Sequence, residues 1–525
     1  MDFGSRLLVG LSLRLSPPGF PVRRRFSEQL RESMGCMRSS RKLTGHTSCV
    51  NSLAWSNGEA RWLTSAGDDY QILLWDMYGD LDQPRASFLG PRGNVLSLAI
   101  SSANTYLYCG GTDPGLYQYS LSSGFECRPA TSTRWSDQRH HHSDTIRDIS
   151  THPSNDHLLL TCGEDRKILL HDVRTPQFPA GLISQRWETT GVRYHPRSEN
   201  LFVSSDNNGG VYLHDARVAF GRDGPKGTVL QYSTRLAKAG YSSLANPEAS
   251  SVVFDERGTR FVVTFLGHVP TLYSLDDPDP IATFSGACAP DGSEVPTTER
   301  SYANASTMKH GSFGGDHYAA GSDDFRGYIW KVPPTAYLLD RRRKMPEDEW
   351  SAGEGCSTGS IGYSLSRKEA PVVPREISTP SSRVGGHKSI VNTALFHPHL
   401  PILATAGIES HICLHRPFSA SISVNDSESS NEYQLSFNTS WVEGYLPPRE
   451  LPLSIPRRER HRLLLTMLDG RPLEDGGVRD AAIEDMRSIA MFDELLRQDG
   501  HSNPFVSRIY EEDSDEDSSE ERTEG

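Results

Sequence analysis

The sequence predicts an all-β protein, a seven-bladed β-propeller followed by a C-terminal helix and long polar segments. Three observations carry this. One strand-rich pattern recurs seven times, closing at Trp75, Tyr119, His171, His214, Tyr273, Trp330 and His415. Each copy alternates apolar strands, such as HLLLTCG and KILLHD, with Asp/Gly/Asn turns, the signature of short antiparallel strands. Six residues before the closing position stands an acid or amide in six of the seven copies: Asp69, Asp113, Asp165, Asn208, Asp324 and Glu409.

The first copy, GHTSCVNSLAW then RWLTSAGDDYQILLWD from Gly45 to Asp76, is the clearest. From it the closing positions advance by 44, 52, 43, 59, 57 and 85 residues. The shorter steps match a WD40 blade of four strands, and the longer ones indicate loop insertions. An acid in the turn can tie the loop to the Gly-His of its own unit, which makes His46, Asp69, Trp75, Asp165, Asp324, Trp330 and His387, with His142, structural locks of the blades. The fifth copy has Gly267 at the acidic position and lacks the lock. The seventh copy has only three strands (390–396, 401–406 and 411–415). RSSRKLT, just before Gly45, is expected to add the missing outer strand and close the ring, so that no sheet edge stays open.

Around the blades the pattern breaks. Residues 1–38 read as a leader, 39–418 as the propeller, 419–477 as a linker, 478–498 as an amphipathic helix and 499–525 as an acidic disordered tail. In the helix, Ile483, Met486, Ile489, Ala490 and Leu496 fall at helical spacing. Residues 340–383, rich in charge, Ser, Gly and Pro, read as a disordered insertion. RRRK at Arg341–Lys344 reads as a solvated charge cluster and His140–His142 as a loop tract. The Arg-bearing, acid-poor start leaves a presequence open beside the reading as an unstructured leader.

The chain has 525 residues, a net charge of −13 and a mean hydropathy of −0.51. Residues 511–525 alone hold nine acids and one Arg. The body is therefore nearly neutral, and no direct nucleic-acid binding is expected. No apolar run is long enough for a membrane span. The eight cysteines form no CxxC pair, which suits a reducing compartment, nucleus or cytoplasm, and argues against a disulfide framework or a zinc site. No metal or cofactor is expected. GGHKS at 385–389 lacks the Gly-Lys-Ser/Thr of a phosphate loop, and no nucleophile elbow or His-Glu-x-x-His occurs. A binding scaffold is expected, not an enzyme. In the tail, Ser514 and Ser518 each have an acid three residues on, which marks them as phosphorylation sites for an acid-directed kinase.

Copies three and four share a further feature, ending His171-Asp172-Val173-Arg174 and His214-Asp215-Ala216-Arg217. In consecutive blades the two Arg side chains would stand on one face, able to brace the blade's Asp or meet a partner with a planar fork of donors. Here the sequence resembles the damaged-DNA-binding-protein and cullin-4 associated factors, WD-repeat substrate receptors of cullin–RING ubiquitin ligases. It looks nearest their fifth member, with the sixth and eighth related. The resemblance also covers GSDDFRGYIWK, GHKSIVNTALFHPHLPILATAGIE and SIAMFDELLRQ with its acidic Ser-rich tail. It implies an adaptor site at Asp172, Arg174, Asp215 and Arg217, matching the family's Trp-Asp-x-Arg signature but with His in place of Trp. It also implies that FSEQLRESMGCM (26–37), a helix with Phe26 and Leu30 on its apolar side, enters the adaptor's cleft; the alternative is that this helix covers the propeller itself. The implied partners are the cullin-4 adaptor, cullin-4 through it, and an unidentified protein substrate. A WD-repeat scaffold unrelated to ubiquitin is the alternative function.

Overall fold

The computed structural model describes residues 32–37, 39–121, 142–175, 179–221, 227–238, 244–296, 299–346, 349–350, 361–366 and 370–417. Phe26, Leu30, Ser514, Ser518, the 478–498 helix and the acidic tail lie outside them. Among the described residues no helix is long and apolar enough to cross a membrane.

Seven antiparallel sheets make the blades. Their innermost strands are Val50–Trp55, Val95–Ile100, Ile146–Thr151, Thr189–Tyr194, Ala249–Phe254, Ser312–Gly314 and Val391–Phe396. Each inner strand lies beside the next, and the seventh returns to the first. The fold is thus a closed propeller. Blade one shows the common order, Val50–Trp55, Trp62–Gly67, Ile72–Asp76 and Ala86–Phe88 from axis to rim. Its core lies between blades: Leu53, Leu63, Leu73 and Trp75 pack with Ile402, Ala404, Ile412 and Leu414 of blade seven.

The glycines that end the second strands of blades one, two, six and seven have a steric cause. Gly67, Gly111, Gly321 and Gly407 sit where a Cβ would run into the backbone carbonyl of Cys49, Asn94, Val391 or Ile390. The ladder slips by one residue near the same place, between Val50 and Ser52, Val95 and Ser97, Thr189 and Gly191, Ala249 and Ser251, and Val391 and Thr393. Such bulges bend a strand and sharpen its twist, and here they recur blade after blade.

Ring closure uses the chain's two extremes. Ser39–Thr44 pairs antiparallel with His411–Arg416, from Ser39 opposite Arg416 to Thr44 opposite His411. Leu43 is buried in the blade-one and blade-seven core. The RSSRKLT segment therefore is the outer strand of blade seven.

The described parts of 340–383 differ from the expected disordered insertion. Ile361–Ser364, Val372–Val373 and Arg343–Lys344 build an extra sheet with Arg235–Lys238 and Leu244–Ala245. Arg375–Ile377 then adds in parallel to blade five, and Ser382–Val384 is the outer strand of blade six. The cause is a few well-separated apolar side chains. Met345 and Trp350 pack on Ala237, and Tyr363 on Leu236, burying enough surface to order an otherwise polar stretch. RRRK is also not uniformly solvated, since the Arg342 guanidinium donates to Asp277 at 2.7 Å.

Candidate functional site

The blade locks are relays of four side chains. In blade one the Trp75 indole can only donate, and it donates to Ser65 Oγ at 2.9 Å. The Ser65 hydroxyl then donates to His46 Nε2 (2.8 Å), and His46 Nδ1–H to Asp69 (2.8 Å). Asp69 also accepts the Thr47 and Gln71 backbone N–H groups. Blade three repeats this with Asp165, His142, Thr161 and His171, at 2.8 Å for each link. Blade seven has the same four members, Glu409, His387, Thr405 and His415, at 2.9, 2.8 and 2.7 Å. There, however, the His387 ring donates from both nitrogens and the Thr405 hydroxyl donates on to His415.

Histidine in place of the closing Trp therefore keeps the relay instead of weakening it. With Nδ1–H of His142 committed to its carboxylate, Nε2 of the neutral ring accepts the Thr161 proton. His171 must then donate from Nε2, as an indole would. The member missing from the sequence reading is the hydroxyl ten residues before the closing position: Ser65, Thr161 and Thr405, with Ser204 on His214 at 2.8 Å in blade four. The constant interval was the available signal. Burial pushes the Asp69 and Asp165 carboxyls up, but the adjoining histidines outweigh it and hold both below the usual range.

Blade six is built otherwise. Asp324 accepts from the Tyr328 hydroxyl at 2.6 Å, and the Trp330 indole donates to the Ser285 carbonyl at 2.8 Å. These two residues are buried but do not form a His-linked lock, because this copy has no Gly-His. Its loop is tied instead by Asp323, paired with the wholly buried Lys309 at 2.6 Å and accepting from the Ala305 and Ser306 N–H groups. In blade four the turn is held by Asp206, which accepts from Asn208 and Gly210 N–H. Asn208 is not the acceptor there.

The two Asp-x-Arg boxes form matched forks. Arg174 donates through Nε and Nη2 to the two Asp172 oxygens at 2.9 and 2.7 Å. Arg217 does the same to Asp215 at 3.0 and 2.6 Å. The arginines pull both carboxyls below the usual range. The aspartates hold equivalent registers in adjacent blades, Asp172 opposite Leu158 and Asp215 opposite Leu201, so both forks stand on the same rim of the ring. The guanidiniums are 61% and 68% exposed. Val218, the residue after Arg217, is 50% exposed, and Leu182 on the outer strand of blade three is 51% exposed. A third fork, Arg61 on Asp76 in blade one, has its arginine earlier in the blade and so escaped the Asp-x-Arg pattern.

Of the 26–37 segment, the described part turns inward. Met34 and Met37 are buried with Ile329, Val384, Phe396 and Leu403 of blades six and seven.

In blade seven the lock is crowded by two further groups, His411 and Cys413. Burial pushes the Cys413 thiol up, yet His387 and His411 more than offset it and hold it at about 6. Burial likewise pushes His387 down, while Cys413 and Glu409 keep it at about 9.

The comparisons agree with this architecture. The family model "WD domain, G-beta repeat" matches residues 37–76 and 135–172. Mouse "DDB1- and CUL4-associated factor 5" is 25% identical over 401 residues, 74% of this chain, and the human protein of that name gives the same figures. The match spans 35% of those relatives' own length, so the chain corresponds to about a third of them. "DDB1- and CUL4-associated factor 13" of Xenopus tropicalis is 25% identical over 240 residues, 45% of this chain and 49% of the relative.

Proposed function

We propose that this chain, a WD-repeat protein of the DDB1- and CUL4-associated factor kind, is a substrate-recognition subunit of a cullin-4 ubiquitin ligase. The observation that carries the reading is the pair of exposed forks, Asp172–Arg174 and Asp215–Arg217, at equivalent places in adjacent blades. Each presents a guanidinium already oriented by its own carboxylate, with donors left over for a partner. An arginine so braced loses less freedom on binding than a free one. Exposed Val218 adds apolar area next to Arg217. The substrate is held elsewhere on the propeller, and the chain catalyses nothing. It raises the effective concentration of a substrate lysine near the ligase's charged ubiquitin.

Arg174→Ala with Arg217→Ala tests this by co-purification with the adaptor and cullin-4. Both pairs are solvent-exposed, so little fold stability is at stake and the variant should melt as the wild type does. Loss of two charge-assisted interface contacts is expected to weaken adaptor binding by about tenfold or more. A folded variant that captures the adaptor as wild type does would remove these arginines from the interface. Failure of the wild-type chain to capture the adaptor would remove the ligase reading.

A further inference from the structure

The lock of blade seven differs from those of blades one and three at two positions. Two and four residues past the acid, blade one has Gln71 and Leu73 and blade three has Lys167 and Leu169. Blade seven has His411 and Cys413. Residues two apart on a strand share a face, so both side chains point the way of His415, which bonds Thr405 inside the lock. One nitrogen of His387, one of His411 and the Cys413 sulfur consequently all lie within 4.8 Å of one another, with all three residues buried.

The His411 ring stacks on the His387 ring, with centroids 5.4 Å apart and planes 9° from parallel. Its Nε2 is buried and has no hydrogen-bond partner. The nearest carboxylate oxygen, Glu409 Oε2, is 3.6 Å away and also accepts from His387 Nδ1 at 2.9 Å. A buried ring nitrogen without a partner is unfavourable, and the relays of blades one and three contain none. His411 and Cys413 stand outside the four-member relay, with Cys413 against His387 and His411. His387 and Glu409 belong to the relay, so an ion held by them takes over relay bonds.

We propose that His387, His411 and Cys413 form a binding site for a divalent ion of zinc type, with Glu409 placed to supply the fourth ligand. Two imidazoles, a thiolate and a carboxylate are a set that zinc accepts in tetrahedral geometry, with bonds of about 2.0–2.3 Å. Such bonds bring ligand atoms to about 3.3–3.7 Å from one another, so the side chains close in by roughly 1 Å. Cys413 binds as thiolate, and the ion releases one His387 ring proton to solvent. With four protein ligands the site is closed, which makes the ion structural. It would bolt the Gly-His loop to the strand His411–Arg416, the strand on which ring closure depends. The absence of a CxxC pair does not bear on this arrangement. Its ligands come from a His-x-Cys alternation on one strand, the turn acid before it and a loop some 20 residues earlier.

The test uses the full chain with Co2+ as a spectral probe. Wild type is expected to bind one equivalent, showing a sulfur-to-cobalt charge-transfer band and tetrahedral d–d bands that Zn2+ abolishes. The double substitution His411→Gln with Cys413→Leu installs the blade-one residues and leaves the lock whole, so it should fold. It is expected to lose those bands and to bind at least tenfold more weakly. Zinc should raise the melting temperature of wild type and leave that of the variant unchanged. Wild type without a thiolate–cobalt band, or a folded variant that keeps it, overturns the site.

Discussion

Mild acid should unfold the propeller well before its carboxylates are protonated. His214, His317 and His397 are buried and His268 and His310 half-buried, and loss of solvent pushes each down to about 4. His415 is pushed down to about 3 by the same cause, with His387 adding to it. A free histidine titrates near 6.5, so as pH falls the unfolded chain takes up protons that the folded chain refuses. Stability from each group is present above 6.5 and is lost on the way down to the folded value. At about pH 5.5 one such histidine has cost roughly 1 kcal/mol, and six together about 6–8 kcal/mol. That rivals the whole stability of an ordinary domain, about 5–15 kcal/mol. Some groups run the other way. His387, held up at about 9, gains stability as pH falls from 7.5 to 6.5 and offsets about one histidine's worth, and burial also raises Asp206. Burial raises Asp324 to about 6, which opposes the loss by less than one histidine's worth. Urea midpoints followed by circular dichroism at about pH 7.5, 6.5 and 5.5 would show the fall. A midpoint that holds between 7.5 and 5.5 refutes the argument, because burial of these rings would then carry no penalty.

Removing residues 1–46 should abolish cooperative melting, since blade seven loses its outer strand and the buried Leu43. Removing 1–38 should leave a folded ring that melts lower by the loss of Met34 and Met37, each worth about 1.5–3 kcal/mol when fully buried; equal melts for the two truncations would rule the closure out. Thr161→Val keeps volume but leaves His142 and His171 Nε2 facing no hydroxyl, with an expected loss of about 2–4 kcal/mol in chemical denaturation; an unchanged midpoint would mean that the relay adds nothing to the blade. Ser514 and Ser518 should be phosphorylated in cells, each adding about −1.5 to −2 charges without moving the melting temperature. Mass spectrometry that finds both unmodified ends that idea.

The blades were legible because their cause is local and repeats. Alternation sets the strands, the acid six residues before the closing aromatic marks the turn, and seven copies exclude an open sheet. The relay's hydroxyl went unnoticed because Ser65, Thr161 and Thr405 look like ordinary strand residues until the interval of ten is lined up across copies. Asp324 and Trp330 fit the spacing yet lack the histidine that makes a lock, so position alone misassigned them. The described strands within 340–383 rest on Met345, Trp350 and Tyr363 reaching residues more than 100 positions earlier, which no local pattern encodes. Arg174 and Arg217 were visible as a motif, but whether they brace or bind turns on exposure. The forks do brace their aspartates, and their exposure leaves them free for a second task.

The register of the closing strand also governs how the ring responds to force. Ser39 and Arg416 are direct partners, so the chain before the one and the chain after the other leave from the same end of the pair. Tension applied between those two arms does not shear six residues of ladder at once. Once Met34 and Met37 are drawn out of blades six and seven, it loads the Ser39–Arg416 rung, then Ser40–His415, and peels the strand rung by rung. An unfolding motor that engages either arm against an anchored other would meet low resistance at the very seam that holds seven blades together, and the propeller would open from there as a row of sheets instead of collapsing as a block.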